Sequence, residues 1–132
     1  MFIAGLEKKK QEAFLNLAYT MVYADGKLDE REQQLFNSYS LEVDLDLSKA
    51  HKVDFENELS VFDDSDKVEK TKVFFELYAI ALIDDVYAEE EKDLVEMMKK
   101  KFNISDSKMK EMRDGLKALT EAYSNLSKIV ED

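Results

Sequence analysis

The chain has 132 residues, which fits one domain, and 45% of them are hydrophobic, which is typical of a folded protein and not of a disordered one. It has no proline and three glycines, so a sheet protein with many tight turns is disfavoured and an all-helical fold is expected. The net charge of −11 disfavours nucleic acid and anionic membranes as partners. It favours cations and basic protein surfaces, although solubility alone is a sufficient reason for it.

The cysteine count and the apolar runs bear on the compartment. The absence of cysteine excludes disulfides and thiolate metal sites and favours a reducing environment. No apolar run approaches the length of a membrane span, and the first residues are too short for a signal-peptide core. We therefore expect a cytoplasmic protein.

Apolar spacing predicts helices in the first half of the chain. One stripe in the first helix is formed by Phe14, Leu17, Ala18, Met21 and Val22. A polar break at 25–29 follows, and Leu35, Phe36 and Tyr39 then mark a second helix. Residues 41–47 alternate as a strand would, but one strand cannot form a sheet. We therefore expect a loop that passes into a helix near Leu47 to Leu59.

The second half of the chain has the same kind of pattern. Asp66 and Glu69 have the spacing of a capping box before a helix that reaches about Ile83. That helix is apolar on most sides, which predicts a central position in the bundle. After a break at 84–87, one more helix is marked by Leu94, Val95, Met98 and Phe102. Ser105 can cap a final long helix that runs to about Val130.

The two halves align when the first is shifted by 59 residues. Tyr19 then falls on Tyr78, Asp25 on Asp84, Glu32 on Glu91 and Leu35 on Leu94. The repeat predicts two helical hairpins, about residues 6–40 and 66–104, which share one core. With a C-terminal helix at about 105–130, the expected fold is a single domain over 1–132: an all-α, compact bundle of about six helices.

The turn of the first repeat is similar to a known family signature. The segment Ala24-Asp25-Gly26-Lys27-Leu28-Asp29-Glu30-Arg31-Glu32 resembles the Ala-Asp-Gly motif, with a glutamate several residues later, of TerB-like, tellurite-resistance-associated domains. The segment from Ala81 to Glu91 looks like a second copy, with Asp85 where the family often has glycine. The resemblance implies a compact helical fold, an acidic surface suited to cations, and a role in stress or tellurite resistance. It implies no established catalytic activity.

Acidic residues of the two turns form the first candidate site: Asp25, Asp29, Glu32, Asp84, Asp85 and Glu91. Glu32 and Glu91 lie on the apolar faces of their helices, where a carboxylate needs a partner. Local capping is one option, with Asp29 and Glu32 as a capping box. The hydroxyl of Tyr19 or Tyr78 is a second. A hard divalent cation such as calcium, magnesium or manganese is the third.

Standard metal and catalytic motifs do not fit the sequence. An EF-hand with Gly26 and Glu32 in its second half would place Met21 and Tyr23 at its first ligand positions, and neither carries a carboxylate. There is no Glu-x-x-His pair and no glycine-rich phosphate loop. The single histidine, His51, is expected in a solvated polar helix. We therefore expect no enzyme.

The last helix has an apolar seam with heptad spacing: Met109, Met112, Leu116, Leu119, Tyr123, Leu126 and Val130. The same spacing fits a helix packed along the two hairpins, which we favour, and a homodimer seam or a docking helix for a protein partner. Two functions follow. One is a non-catalytic acidic domain that binds a divalent cation or a basic partner. The other is a helical interaction module whose acidic turns are structural caps.

Overall fold

The computed structural model describes residues 2–24, 30–43, 45–82 and 89–132, apart from the side chains of residues 31, 32, 35 and 40. Within these ranges the protein is helical and has no strand. The α-helices are α1 (Lys8–Val22), α2 (Glu30–Val43), α3 (Phe55–Leu59), α4 (Lys67–Leu82), α5 (Glu89–Phe102) and α6 (Asp106–Glu131). The predicted all-α class with a long C-terminal helix is confirmed. The four acidic turn residues Asp25, Asp29, Asp84 and Asp85 lie outside the described residues.

Two helical hairpins, α1–α2 and α4–α5, build the bundle. A shift of 59 residues carries Lys8–Val22 onto all but the last residue of α4 and carries Glu30–Val43 onto α5. The hairpins pack through α1 and α4. Lys10 Nζ donates to Glu69 Oε1 at 2.7 Å, and these two positions are themselves 59 residues apart. A contact between equivalent positions of the two hairpins is expected near a pseudo-twofold axis that relates them.

The core follows from the apolar stripes. The predicted stripe of α1, from Phe14 to Val22, is buried. α4 contacts α1, α2 and α5, and its Val73, Phe74, Leu77 and Ile80 are buried, which confirms its central position. The short α3 packs between α1 and α5.

The segment between the hairpins differs from the prediction. α2 continues to Val43, and the expected helix near 47–59 is two separate pieces, a 3₁₀ turn at Leu47–Lys49 and the five-residue α3. Asp46 accepts the backbone N–H of Ser48, and Asp54 accepts that of Asn57, each at 3.0 Å. Each aspartate therefore starts its own turn, because short polar side chains compete for backbone donors within a longer helix. His51 lies between the two pieces, exposed but outside any helix.

Caps fix the ends of the later helices. Asp66 accepts the N–H of Glu69 at 2.8 Å, and Ser105 accepts that of Lys108 at 3.0 Å, as the sequence predicted. Glu69 does not complete the expected capping box; its side chain accepts from Lys10 and from Ser65. α5 ends with Asn103 at φ 55°, and the N–H of Ile104 reaches the Lys99 carbonyl at 2.9 Å, which is a Schellman motif.

The last helix is not packed along the hairpins. Met109 and Met112 are buried, and Leu116 is half-buried. Beyond Leu116 the residues of α6 are exposed, except for the half-buried Ser127. The packed arrangement favoured from the sequence is therefore wrong for the last 15 residues, about 22 Å of helix. Only the first turns of α6 pack against the core, through Met109 and Met112, and the helix then continues past them.

Candidate functional site

Of the six acidic candidates, only Glu91 has a described side chain. It lies in the first turn of α5 and is 2% exposed, on the same buried face as Val95 and Met98. Its neighbours Glu89 and Glu90 are exposed. The carboxylate at position 91 therefore lies towards the interior of the bundle.

Convergence of the two acidic turns stays a prediction. In the part of the chain that the structure describes, no three His, Asp or Glu side chains are grouped so that they could hold a metal ion. Asp25, Asp29, Asp84 and Asp85 fall outside that part, as does the side chain of Glu32. The described residues therefore do not show whether the six acidic candidates lie together or apart.

The central helix α4 carries a buried carboxylate that the sequence pattern did not predict. Glu76 on α4 is 3% exposed. Its Oε2 accepts the Tyr39 hydroxyl at 3.1 Å, and its Oε1 accepts the Phe2 N–H at 2.7 Å. Burial, followed by the charge of Glu76, raises the pKa of Tyr39. The available signal was positional: Glu76 interrupts the apolar stripe of α4, and the repeat aligns it with the buried Leu17.

Donation by Tyr19 or Tyr78 to the turn carboxylates stays a prediction. Among the described contacts, Tyr39 donates to a carboxylate, and the hydroxyl of Tyr78 accepts from Arg113 Nη1 at 2.9 Å. This bond ties the base of α6 to the central helix. Tyr19 packs its ring against Tyr23 and Phe36.

A second ionic cluster joins the hairpins. Lys10 is buried and pairs with Glu69 and, at 3.3 Å, with Asp64. The hydrogen bond from Lys10, followed by that from Ser65, lowers the pKa of Glu69. One buried lysine faces two carboxylates here, and its bond to Glu69 links α1 to the start of α4, which is a structural role.

An open groove of about 570 Å³ lies beside the single histidine. Leu15, Asn16, Asp46 and Lys49 line it together with His51. The imidazole Nδ1 is 3.0 Å from the carbonyl oxygen of Lys49, and the backbone N–H of His51 donates to Asn16 Oδ1. These contacts hold the connecting segment in place, and they do not orient the ring towards a nucleophile.

The apolar face of α6 divides the candidate partner-binding residues into two groups. Met109 and Met112 belong to the core, with Leu116 at its edge. Beyond them the exposed fractions are 51% for Leu119, 73% for Tyr123, 62% for Leu126, 70% for Ile129 and 83% for Val130. We call these five residues the exposed face. They follow one side of the helix, so they form a continuous apolar surface.

A shallow groove continues the exposed face at the base of α6. It has a volume of about 340 Å³, and it is lined by six non-polar residues and two charged ones: Phe2, Phe75, Met112, Gly115, Leu116 and Leu119, with Lys108 and Glu111. A side chain at Gly115 would meet no atom within 4 Å, so this part of the groove is open.

The charges of α6 lie away from the exposed face. Helix α6 has five basic and five acidic residues and carries none of the net charge of the chain. Between positions 115 and 130 the charged residues are Lys117, Glu121 and Lys128, which helical spacing places on the other side of the helix. The surface is therefore apolar and electrically neutral.

No protein-family model, curated protein or solved structure matches the chain. The TerB-like resemblance and the absence of catalysis both stay predictions. Of the described helices, none combines the length and the apolar character that crossing a membrane requires.

Proposed function

We propose that this protein is a non-catalytic helical interaction domain that binds a protein partner through the exposed face of α6. The supporting observation is the grouping of five large apolar side chains, each at least half exposed, on one side of one helix. Elsewhere in the described ranges the mostly exposed large hydrophobic residues are Leu41 and Val68, which lie on different helices, and the partly exposed Phe2 lines the groove at the base of α6. A continuous exposed apolar surface on an otherwise well-covered protein is typical of a binding site.

The exposed face has the spacing of a helix that docks into a groove or pairs with another helix. Leu119, Tyr123, Leu126 and Val130 follow one another at steps of three and four residues. Tyr123 is an aromatic side chain of the kind that anchors interfaces. The buried Met109 and Met112 and the bond from Arg113 to Tyr78 fix the base of the helix. Binding therefore does not have to order the helix, which lowers its entropic cost.

The first test asks whether the face is free within one chain. Leu126→Ala is expected to change the free energy of unfolding by less than about 0.5 kcal/mol, because an exposed residue has few contacts to lose. Met112→Ala, on the same seam but buried, is expected to cost about 2 kcal/mol or more. Both variants are measured by chemical denaturation at high dilution. A cost of 2 kcal/mol for Leu126→Ala would show that the face is already packed, and it would overturn the proposal.

The second test asks whether the face has a partner in the cell. A photoreactive phenylalanine derivative replaces Tyr123 in one variant and Glu121, on the opposite side of α6, in the other. We expect a covalent protein adduct from position 123 and none from position 121. Equal adducts from both positions, or none from position 123 in a folded chain, would count against a docking face.

A second candidate function, divalent-cation binding at the paired acidic turns, is favoured by the burial of Glu91. Carboxylate oxygens are the ligands that hard divalent cations prefer, and Asp25, Asp84 and Glu91 would supply them. A role in stress or tellurite resistance would follow from the TerB-like resemblance.

Thermal unfolding of the metal-stripped chain with added calcium, magnesium or manganese tests the cation reading. A saturable rise in Tm for one ion, lost in Glu91→Gln and kept in Glu90→Gln, would support a site, because selective binding to the folded state stabilises it. These two variants remove the same charge from neighbouring positions, one buried and one exposed. A small, equal rise for all three ions would indicate screening of the net charge of −11, and the cation reading would be abandoned.

A further inference from the structure

We infer that the partner of the exposed face is a second copy of this chain, joined as an antiparallel pair of α6 helices about a twofold axis near residue 121. The inference rests on the proposed function, since it takes the exposed face to be the docking surface. It adds the identity of the partner and the register of the contact.

Charge is the first argument for self-pairing. The net charge of −11 lies outside α6, and the exposed face has no charged residue. A basic partner attracted by the acidic body would find no acidic group on this face. A second copy meets the face without like-charge pairs, which would otherwise oppose association.

Charge also selects the orientation. In a parallel pair the two acidic bodies would lie side by side at the same end of the helices and would repel each other. In an antiparallel pair they lie at opposite ends. Met112 and Val130 are 18 positions apart, or about 27 Å along a helix, so the tip of each α6 reaches the base of the other.

The heptad positions give the register. The seam alternates between heptad position a (Met109, Leu116, Tyr123, Val130) and position d (Met112, Leu119, Leu126). Antiparallel helices place each a residue of one chain beside a d residue of the other. Tyr123 then lies beside Leu119 of the second copy, and Leu126 beside its Leu116. Val130 lies beside Met112, at the base groove that Phe2 and Phe75 help to line. One antiparallel pairing therefore covers both the exposed face and the groove at the base of α6.

Side-chain volumes at the flanking positions agree with this register. Ile129, the one large apolar residue at a flanking position, falls opposite Gly115 of the second copy, where the structure leaves open space. Ala122 falls opposite its own symmetry mate, close to the axis. At these flanking positions a large residue meets a small one, or two small residues meet. The helices can therefore approach closely, because the interaxial distance depends on the side chains at the contact.

The area sets the expected strength. The five residues of the exposed face offer on the order of 500 Å² per copy, or about 1,000 Å² for the pair, which is at the lower limit of specific interfaces. We therefore expect a reversible dimer with a dissociation constant of roughly 1 to 100 μM.

Sedimentation analysis of the full chain from about 1 to 500 μM measures the association, with the range chosen to span the expected dissociation constant. The mass should rise from 15.3 kDa towards twice that value. Tyr123→Glu should weaken the dimer by about tenfold or more, because it places a charge in an apolar layer. Ser124→Glu adds the same charge one residue later, off the face, and should change the dissociation constant by less than about threefold. Equal effects of the two variants would overturn the inference.

Cross-linking tests the orientation, because the chain has no cysteine of its own. With a short bismaleimide reagent, Ala122→Cys should yield a covalent dimer and Val130→Cys should not, since residues 130 of the two copies are far apart in the antiparallel register. Cross-linking at position 130 instead would show a parallel pair and overturn the inference. A chain that stays monomeric throughout would also overturn it. The proposed function would still stand if Leu126→Ala left stability unchanged and position 123 gave an adduct with a different protein.

Discussion

The most informative perturbation of the core is Tyr39→Phe. The Tyr39 hydroxyl donates to Glu76 Oε2 at 3.1 Å, and both residues are buried. The ring packs edge-on against Phe14, with 4.9 Å between centroids, and phenylalanine preserves that contact. The substitution therefore removes one hydrogen bond and leaves the packing in place.

The size of the effect follows from the acceptor. A hydrogen bond to a charged group contributes about 1.5 to 3 kcal/mol. The Phe2 N–H still donates to the other oxygen of Glu76, so the carboxylate keeps that donor. We expect a loss of about 2 kcal/mol in the free energy of unfolding, which for a domain of this length lowers Tm by roughly 7 °C.

Denaturant unfolding of five chains measures this bond: the natural chain, one control, and three variants at positions 39 and 76. Tyr123→Phe, which removes an exposed hydroxyl, is the control and should cost less than about 0.5 kcal/mol. A double-mutant cycle that combines Tyr39→Phe with Glu76→Leu isolates the interaction between the two side chains. With leucine at position 76, the buried Tyr39 hydroxyl has lost its acceptor, and Tyr39→Phe should become neutral or stabilising. An equal cost of Tyr39→Phe in both backgrounds would refute the assignment of the loss to this hydrogen bond.

Three further predictions concern the ion cluster, the interior of α6 and the end of α5. Because Lys10 holds the pKa of Glu69 below its ordinary value of 4.5, this stabilisation is present above that pH and is lost as the pH falls through the lowered pKa. Unfolding free energy measured from about pH 6 to pH 3 should therefore fall less steeply in Lys10→Met than in the natural chain. Gly115→Ala should raise the free energy of unfolding of the diluted chain by about 0.5 to 1 kcal/mol, because the space around it is open and alanine favours a helix. Asn103→Gly should stabilise the chain by up to about 1 kcal/mol and Asn103→Val should destabilise it, since φ is positive there; thermal unfolding of both checks this.

The sequence located the helices that carry a full apolar stripe. In α1 the predicted positions from Phe14 to Val22 are all core positions, because burial on one face requires the spacing that predicted the helix. Residues 45–62 were predicted less well. Asp46 and Asp54 each begin a separate helical turn there, so no continuous helix forms. Apolar spacing alone cannot distinguish an aspartate that caps a helix from one that is only solvated.

The sites were harder to predict than the helices, for two physical reasons. The apolar seam predicts that one side of α6 is covered, but it does not identify the surface that covers it. The same spacing therefore described the buried Met112 and the exposed Tyr123. Glu76 was missed because a charged residue inside an apolar stripe reads as a local interruption, while its donors are 37 and 74 residues away in the sequence.

The structure separates what stabilises the fold from what remains available for binding. The donors of Glu76 lie in the first half of the chain, so this buried network links the two hairpins. The base of α6 is tied to the same central helix through Arg113 and Tyr78. The exposed face lies beyond that tie, so substitutions there and in the core share no partners, and their effects on unfolding should add. Substitutions on the exposed face can therefore leave the stability of the single chain unchanged, which is what the proposed reversible association requires.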